Sequence, residues 1–124
     1  MTSRIFIVIA SAIIFIWGVA HIIPVNSVVQ GFGDISRDNQ RIITMEWIAE
    51  GLTLCFIGVL VSAVNIWGSN NNTSLIVYRF SAGMLIVMAA LTLFTGAKTP
   101  IIPIKICPAV KTLVAIMFIT GSFL

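Results

Sequence analysis

The chain has 124 residues, of which 59% are hydrophobic and only 9% charged, and its mean hydropathy is +1.11, whereas soluble domains carry about a quarter charged residues. This composition excludes a water-soluble enzyme, a disordered tail and a groove that follows a nucleic-acid backbone, so the partner it implies is a lipid bilayer and not a nucleic acid. The net charge of +3, from 7 basic and 4 acidic residues, is too scattered for a polybasic lipid-binding patch, and 2 cysteines supply neither a disulfide framework nor a metal-ligand spacing.

A bilayer core of roughly 30 Å needs about 20 mostly apolar helical residues. Four stretches meet or approach that length: Ile5 to Ile23, Met45 to Trp67, Leu75 to Thr95 and Pro108 to Leu124. They predict an all-α fold, an antiparallel four-helix transmembrane bundle forming a single multipass integral membrane domain over residues 1–124. The first stretch follows Arg4 as a signal peptide would. Its apolar run exceeds the usual 7 to 15 residues, however, and no small-x-small cleavage site follows before His21 and Pro24, so it reads as a retained span.

The first connection, Pro24 to Thr44, is about 20 residues long and is a candidate lid, because loops beyond about 12 to 15 residues in compact domains are usually functional or disordered. Gly31, Gly33 and Asp34 read as turns within it, and Ser36 or Asp38 as the cap of an interfacial lead-in to the second helix. The second connection is a tight Asn-rich turn, Gly68 to Ser74. Its sequons at Asn71 and Asn72 read as turn residues, since so short a turn hugs the membrane.

Four antiparallel spans place the first and third connections on one face. Asp34, Arg37, Asp38, Arg41, Glu46, Lys98, Lys105 and Lys111 fall there, with His21 and Glu50 just inside; Arg4 and Arg79 fall opposite. The positive-inside rule then puts the loop face in the cytoplasm. Any chemistry is expected at that end.

Helices in lipid associate through close approach at small residues. Gly51, Cys55, Gly58, Ser62 and Asn65 recur at spacings of 4, 3, 4 and 3 on the second helix, the 3.5-residue average of a left-handed bundle seam. The third helix carries two stripes, Ala82/Ala89/Gly96 and Gly83/Ala90/Ala97. The second and third helices are therefore expected at the centre of the bundle. Cys55 lies mid-span and Cys107 at the start of the fourth helix, too far apart in depth for a bridge or a redox pair.

Ionisable groups inside spans are costly and face the bundle interior by default. His21 sits in the last turn of the first helix with Trp17 one turn earlier on the same face, and Glu46 and Glu50 lie at i and i+4 near the start of the second helix with Thr53 continuing their face. The helix dipole alone accounts for a first-turn Glu46 and a last-turn His21. Glu50 is a turn deeper and reads as buried and partnered. A contact between His21 and Glu50 would let the two share a proton, the arrangement that general acid–base work needs.

His21, Glu50 and Glu46 are thus the candidate catalytic residues, and Trp17, Trp47 and Thr53 the candidate substrate-binding ones. The tryptophans serve equally as interfacial anchors or pocket walls. Phe32 is a candidate for closing the pocket. A lone histidine with two glutamates makes a poor soft-metal or haem site, so neither a metal nor another cofactor is expected. The stretch from Lys98 to Lys111 contains Pro100, Pro103 and Pro108. It reads as extended chain whose lysines snorkel to headgroups, with recognition of an anionic substrate as the alternative.

The Gly18-Val19-Ala20-His21 step closed by Pro24, followed by Ile48-Ala49-Glu50-Gly51 and Ile57-Gly58-Val59-Leu60, resembles the DoxX-like group of small four-helix membrane proteins over the first half of the chain. The resemblance implies the four-helix bundle and carries over His21 and Glu50. The function it implies is diffuse, spanning subunits of membrane thiosulfate and quinone oxidation and maturation factors.

Three functions compete. The first is a pocket for a lipophilic small molecule with acid–base chemistry of an isomerase, hydrolase or cyclase type. The second is a non-enzymatic subunit or assembly factor that docks partner helices through small-residue seams such as those at Gly58 and Ala89, a reading against which a lone homo-oligomer would count. The third is a proton-coupled small transporter using Glu50.

Overall fold

The computed structural model describes residues 1–68 and 71–124. It is all-helical, with no strand among the described residues: α1 Thr2–Ile22, the short α2 Val25–Gln30, α3 Arg37–Trp67, α4 Asn72–Phe94, a 3-10 turn Gly96–Lys98, and α5 Ile102–Phe123. Four of these segments, α1, α3, α4 with its 3-10 extension, and α5, are long and apolar enough to cross a membrane. The outer surface carries apolar side chains such as Phe56, Phe80, Val87 and Leu91, which suits it to contact with lipid.

Helix ends differ from the sequence expectation for local reasons. The Ser36 hydroxyl accepts from the Asn39 amide at 3.2 Å and Asp38 lies in the first turn, so α3 starts eight residues before Met45 and runs without a break into the span. Its 31 residues extend about 46 Å, longer than a hydrocarbon core. Asn71 caps α4, its side chain accepting from the Ser74 amide at 3.0 Å, so Asn72 to Ser74 are the first turn of the helix and not part of the expected turn, of which residues 69 and 70 lie outside the described residues. The stretch expected to be extended before the fourth span is mostly helix. Only residues 99–101 lie outside it, Pro103 occupies the first turn of α5, and Pro108 lies inside the helix. Pro at the first turn forfeits no intrahelical bond, whereas Pro108 leaves the Ile104 carbonyl without its helical donor.

The packing reassigns the centre of the bundle. The Gly51, Cys55 and Gly58 seam faces α1 and not α4. A Cβ on Gly58 would stand 2.8 Å from the Ser11 carbonyl oxygen, and one on Gly18 2.8 Å from that of Gly51, so the two backbones touch where neither helix carries a side chain. Ile7, Ala10 and Ile14 on the same helix are fully buried. Farther along α1, the Ser3 hydroxyl donates to the Gly121 carbonyl of α5 at 2.6 Å. Helix α1 thus sits between α3 and α5, α4 packs along α5, and α3 and α4 are the loosely joined neighbours. Of the two α4 stripes, Ala82 and Ala89 are buried, while Gly83 has open space around it.

The contacts Arg4–Asn65, Ser11–Gly58 and Gly18–Gly51 run in opposite directions along α1 and α3, as do Arg79–Ser122 and Thr92–Lys111 along α4 and α5. The bundle is therefore antiparallel, with the loops 24–36 and 95–101 at one end. At the other end Asn65 donates to the Arg4 carbonyl at 3.1 Å and accepts from the Tyr78 hydroxyl at 3.3 Å, tying α1, α3 and α4 together.

Candidate functional site

At the loop end, α1 stops at Ile22 and leaves its last carbonyls without helical donors. The Trp47 indole N–H of α3 donates to the His21 carbonyl at 2.5 Å. The Trp47 ring also stacks on the imidazole, with centroids 4.2 Å apart and planes at 11°. One side chain therefore both terminates α1 and fixes the orientation of His21.

One turn deeper on α3, Glu50 meets partners from two other helices. Its Oε2 lies 3.5 Å from His21 Nε2, and its Oε1 accepts a hydrogen bond from Lys111 Nζ of α5. Lys111 is 0% exposed and donates also to Thr92 Oγ1 of α4 at 3.0 Å, whose hydroxyl donates to the Met88 carbonyl at 2.9 Å. Each of the four spans thus contributes one polar member: His21, Glu50, Thr92 and Lys111. Taking charges out of water costs several kcal/mol per ion, and the cost is offset only when each ion keeps its partner. Here the lysine has two. His21 Nε2 is buried and makes no hydrogen bond, while the side chain as a whole is 10% exposed.

Beside this network lies a cavity of about 880 Å³ between α3 and α4. Trp17 and His21 form its α1 wall, Glu46, Trp47, Glu50 and Thr53 its α3 wall, Met84, Met88 and Leu91 its α4 wall, and Ile104 and Cys107 its α5 wall. Most of that lining is apolar, and its carboxylates and imidazole converge on the loop end, a distribution typical of ligand sites.

All six residues singled out from the sequence line this one cavity, though their parts differ. Glu46 is exposed and has no ion-pair partner among the described residues. It does not lie in a first turn, because α3 begins at Arg37, so the helix dipole does not account for it. Thr53 is turned back on its own helix, its hydroxyl donating to the Ala49 carbonyl at 2.8 Å. Trp17 and Trp47 are half-buried wall residues rather than free anchors. Phe32 is 56% exposed and is not part of the cavity wall, to which the Pro24–Thr44 stretch contributes Pro24, Ile42 and Ile43 instead.

Lys111 and Thr92 were not legible as site residues. Starting the fourth helix at Pro108 makes Lys111 a first-turn snorkelling lysine; starting it at Ile102 puts Lys111 about 13 Å along the axis, fully buried. The seams at Gly58 and Ala89, expected to dock partner helices, are consumed inside the bundle.

Cys107 also faces this centre. Trp17 donates to its Sγ at 3.3 Å, and donor atoms of His21, Glu50 and Cys107 lie within 4.8 Å of one another. The Lys111 ammonium already supplies a cation to Glu50, so this set is charge-balanced by the chain's own residues. Cys55 is also a free thiol and is committed elsewhere, its Sγ facing the Phe15 carbonyl at 3.6 Å.

No family model matches this chain, and no curated protein or solved structure matches it either.

Proposed function

We propose that this chain is a multipass membrane protein whose cavity binds a lipophilic small molecule taken from the bilayer, with the His21–Glu50 pair exchanging a proton with it. The observation that carries the reading is the network of one polar group from each span beside a largely apolar cavity, three of whose members, His21, Glu50 and Thr92, line it. A bundle held by packing alone needs no buried lysine and carboxylate, and polar groups at such depth mark functional sites more often than structural ones.

The chemistry follows from the partners. Lys111 holds one oxygen of Glu50, leaving the other facing the imidazole. In an isomerisation, hydration or ring closure, one member of the pair donates a proton while the other accepts one, in surroundings that exclude water. The DoxX-like resemblance at His21 and Glu50 supports the same pair as the centre of the site and remains part of this proposal.

The test starts from what the protein carries. Protein purified from membranes is extracted with organic solvent and the extract analysed by mass spectrometry, for wild type and for Ala49→Phe, which fills the cavity from an exposed wall position. A lipophile present with wild type and depleted from the variant supports the reading. Identical extracts overturn it. With the ligand in hand, folded His21→Ala and Glu50→Gln proteins should bind it and fail to convert it; turnover equal to wild type would remove the proton-transfer step.

A further inference from the structure

The charge lining the cavity is one-sided. Two carboxylates, Glu46 and Glu50, belong to its wall, and no lysine or arginine does. Lys111, which is not a lining residue, pairs with Glu50. Glu46 has no such partner among the described residues. The exposed Lys98 and Lys105 at the same end are not lining residues and make no ion pair with it. Helix ends do not offset this imbalance: the C-termini of α1 and α4 and the N-termini of α3 and α5 all lie at this end, and their partial charges largely cancel. Trp17 and Trp47 also line this end; one face of Trp47 is covered by His21, and an indole face left open attracts cations.

We propose that the occupant of this cavity is a lipophilic cation, a bulky apolar body with a single diffuse positive charge such as a tertiary or quaternary ammonium or a phosphonium, seated against Trp17 and Trp47 with Glu46 as its counter-charge. This names the ligand class for the site of the preceding subsection and rests on that reading. A compact, strongly hydrated ion is a poorer match, because the walls of Met84, Met88, Leu91 and Ile104 cannot replace its water shell. A lipophilic anion would face Glu46 with no lysine or arginine in the wall to receive it.

The test uses two ions of the same shape and opposite sign, tetraphenylphosphonium and tetraphenylborate. Their binding to the full chain in detergent micelles is followed by tryptophan fluorescence, with protein-free micelles and Asp38→Asn as controls; Asp38 is exposed, pairs with Arg41 and lies outside the cavity. In Glu46→Gln, whose exposed side chain makes no hydrogen bond or ion pair among the described residues, the phosphonium should bind about tenfold more weakly, the effect of losing one charge pair. The borate should bind the same or more tightly, and Glu46→Asp should keep most of the preference. If Glu46→Gln weakens both ions equally or neither, the cation assignment fails while the cavity stands. If neither ion binds wild type above the micelle background, the cavity reading fails with it.

Discussion

Lys111 reaches Glu50 from α5 to α3 inside the bundle, a fully buried ammonium against a carboxylate that is 32% exposed. Removing either partner strands a charge, whereas removing both leaves none to solvate. Lys111→Met should therefore destabilise the protein by about 3 kcal/mol, and Lys111→Met with Glu50→Gln should recover at least half of that loss. Thermal unfolding of the two single variants and the double in the same detergent closes the cycle; strictly additive losses would mean that the pair contributes no coupling.

The seam between α1 and α3 sets a second expectation. Gly58→Val places side-chain atoms against the Ser11 carbonyl and Phe15, backbone that cannot yield without separating two helices, and should cost about 1 to 3 kcal/mol. Gly83→Ala meets open space and should be neutral or stabilise by about 0.5 to 1 kcal/mol through helix propensity. Unfolding midpoints in a denaturing detergent series check both, and equal effects at the two glycines would contradict the packing described here.

Trp47→Phe retains a ring to stack on His21 but removes the N–H that caps α1. A loss of about 1 kcal/mol is expected, with faster amide hydrogen exchange confined to the last turn of α1. Unchanged exchange there would show that the indole does not hold the helix end.

At the opposite end, Asn65→Ala removes a buried group that serves the Arg4 carbonyl and the Tyr78 hydroxyl at once. It should cost about 2 kcal/mol, and Tyr78→Phe about 1 kcal/mol. Because both act through one amide, the double variant should lose less than the sum; full additivity in chemical unfolding would argue against the shared bond.

Composition and periodicity made the four helices, the antiparallel order and the polar end legible, and the i, i+4 spacing of Glu46 and Glu50 placed both on one wall. His21 and Glu50 could be paired because topology brings the end of the first span and the start of the second to the same face, although Glu50 lies well inside α3, which begins at Arg37. The partner of Glu50 is hidden by a boundary: apolar length alone starts the fourth helix at Pro108, whereas it begins with Ile102 and Pro103 in its first turn, and those six residues separate a surface lysine from a buried one. The seam was correctly periodic, but periodicity says only that a helix face is smooth. Which neighbour lies against it depends on the complementary smooth face, and Gly18 on α1 supplied it. Thr92 carries no sequence signal of its own, since a threonine bonding its own helix backbone is unremarkable until a buried ammonium needs an acceptor.

The bundle is unevenly stiff. Three of its edges are zipped by backbone contact, tight side-chain packing or hydrogen bonds, while the edge shared by α3 and α4 is occupied at the loop end by the cavity and crossed there by the relay from Glu50 through Lys111 to Thr92. On the proposed reading, exchange of an occupant with the surrounding lipid would need only that one soft edge to widen. The relay acts as a latch across it, so weakening the latch at Thr92 would speed loading and unloading before it cost the protein its fold.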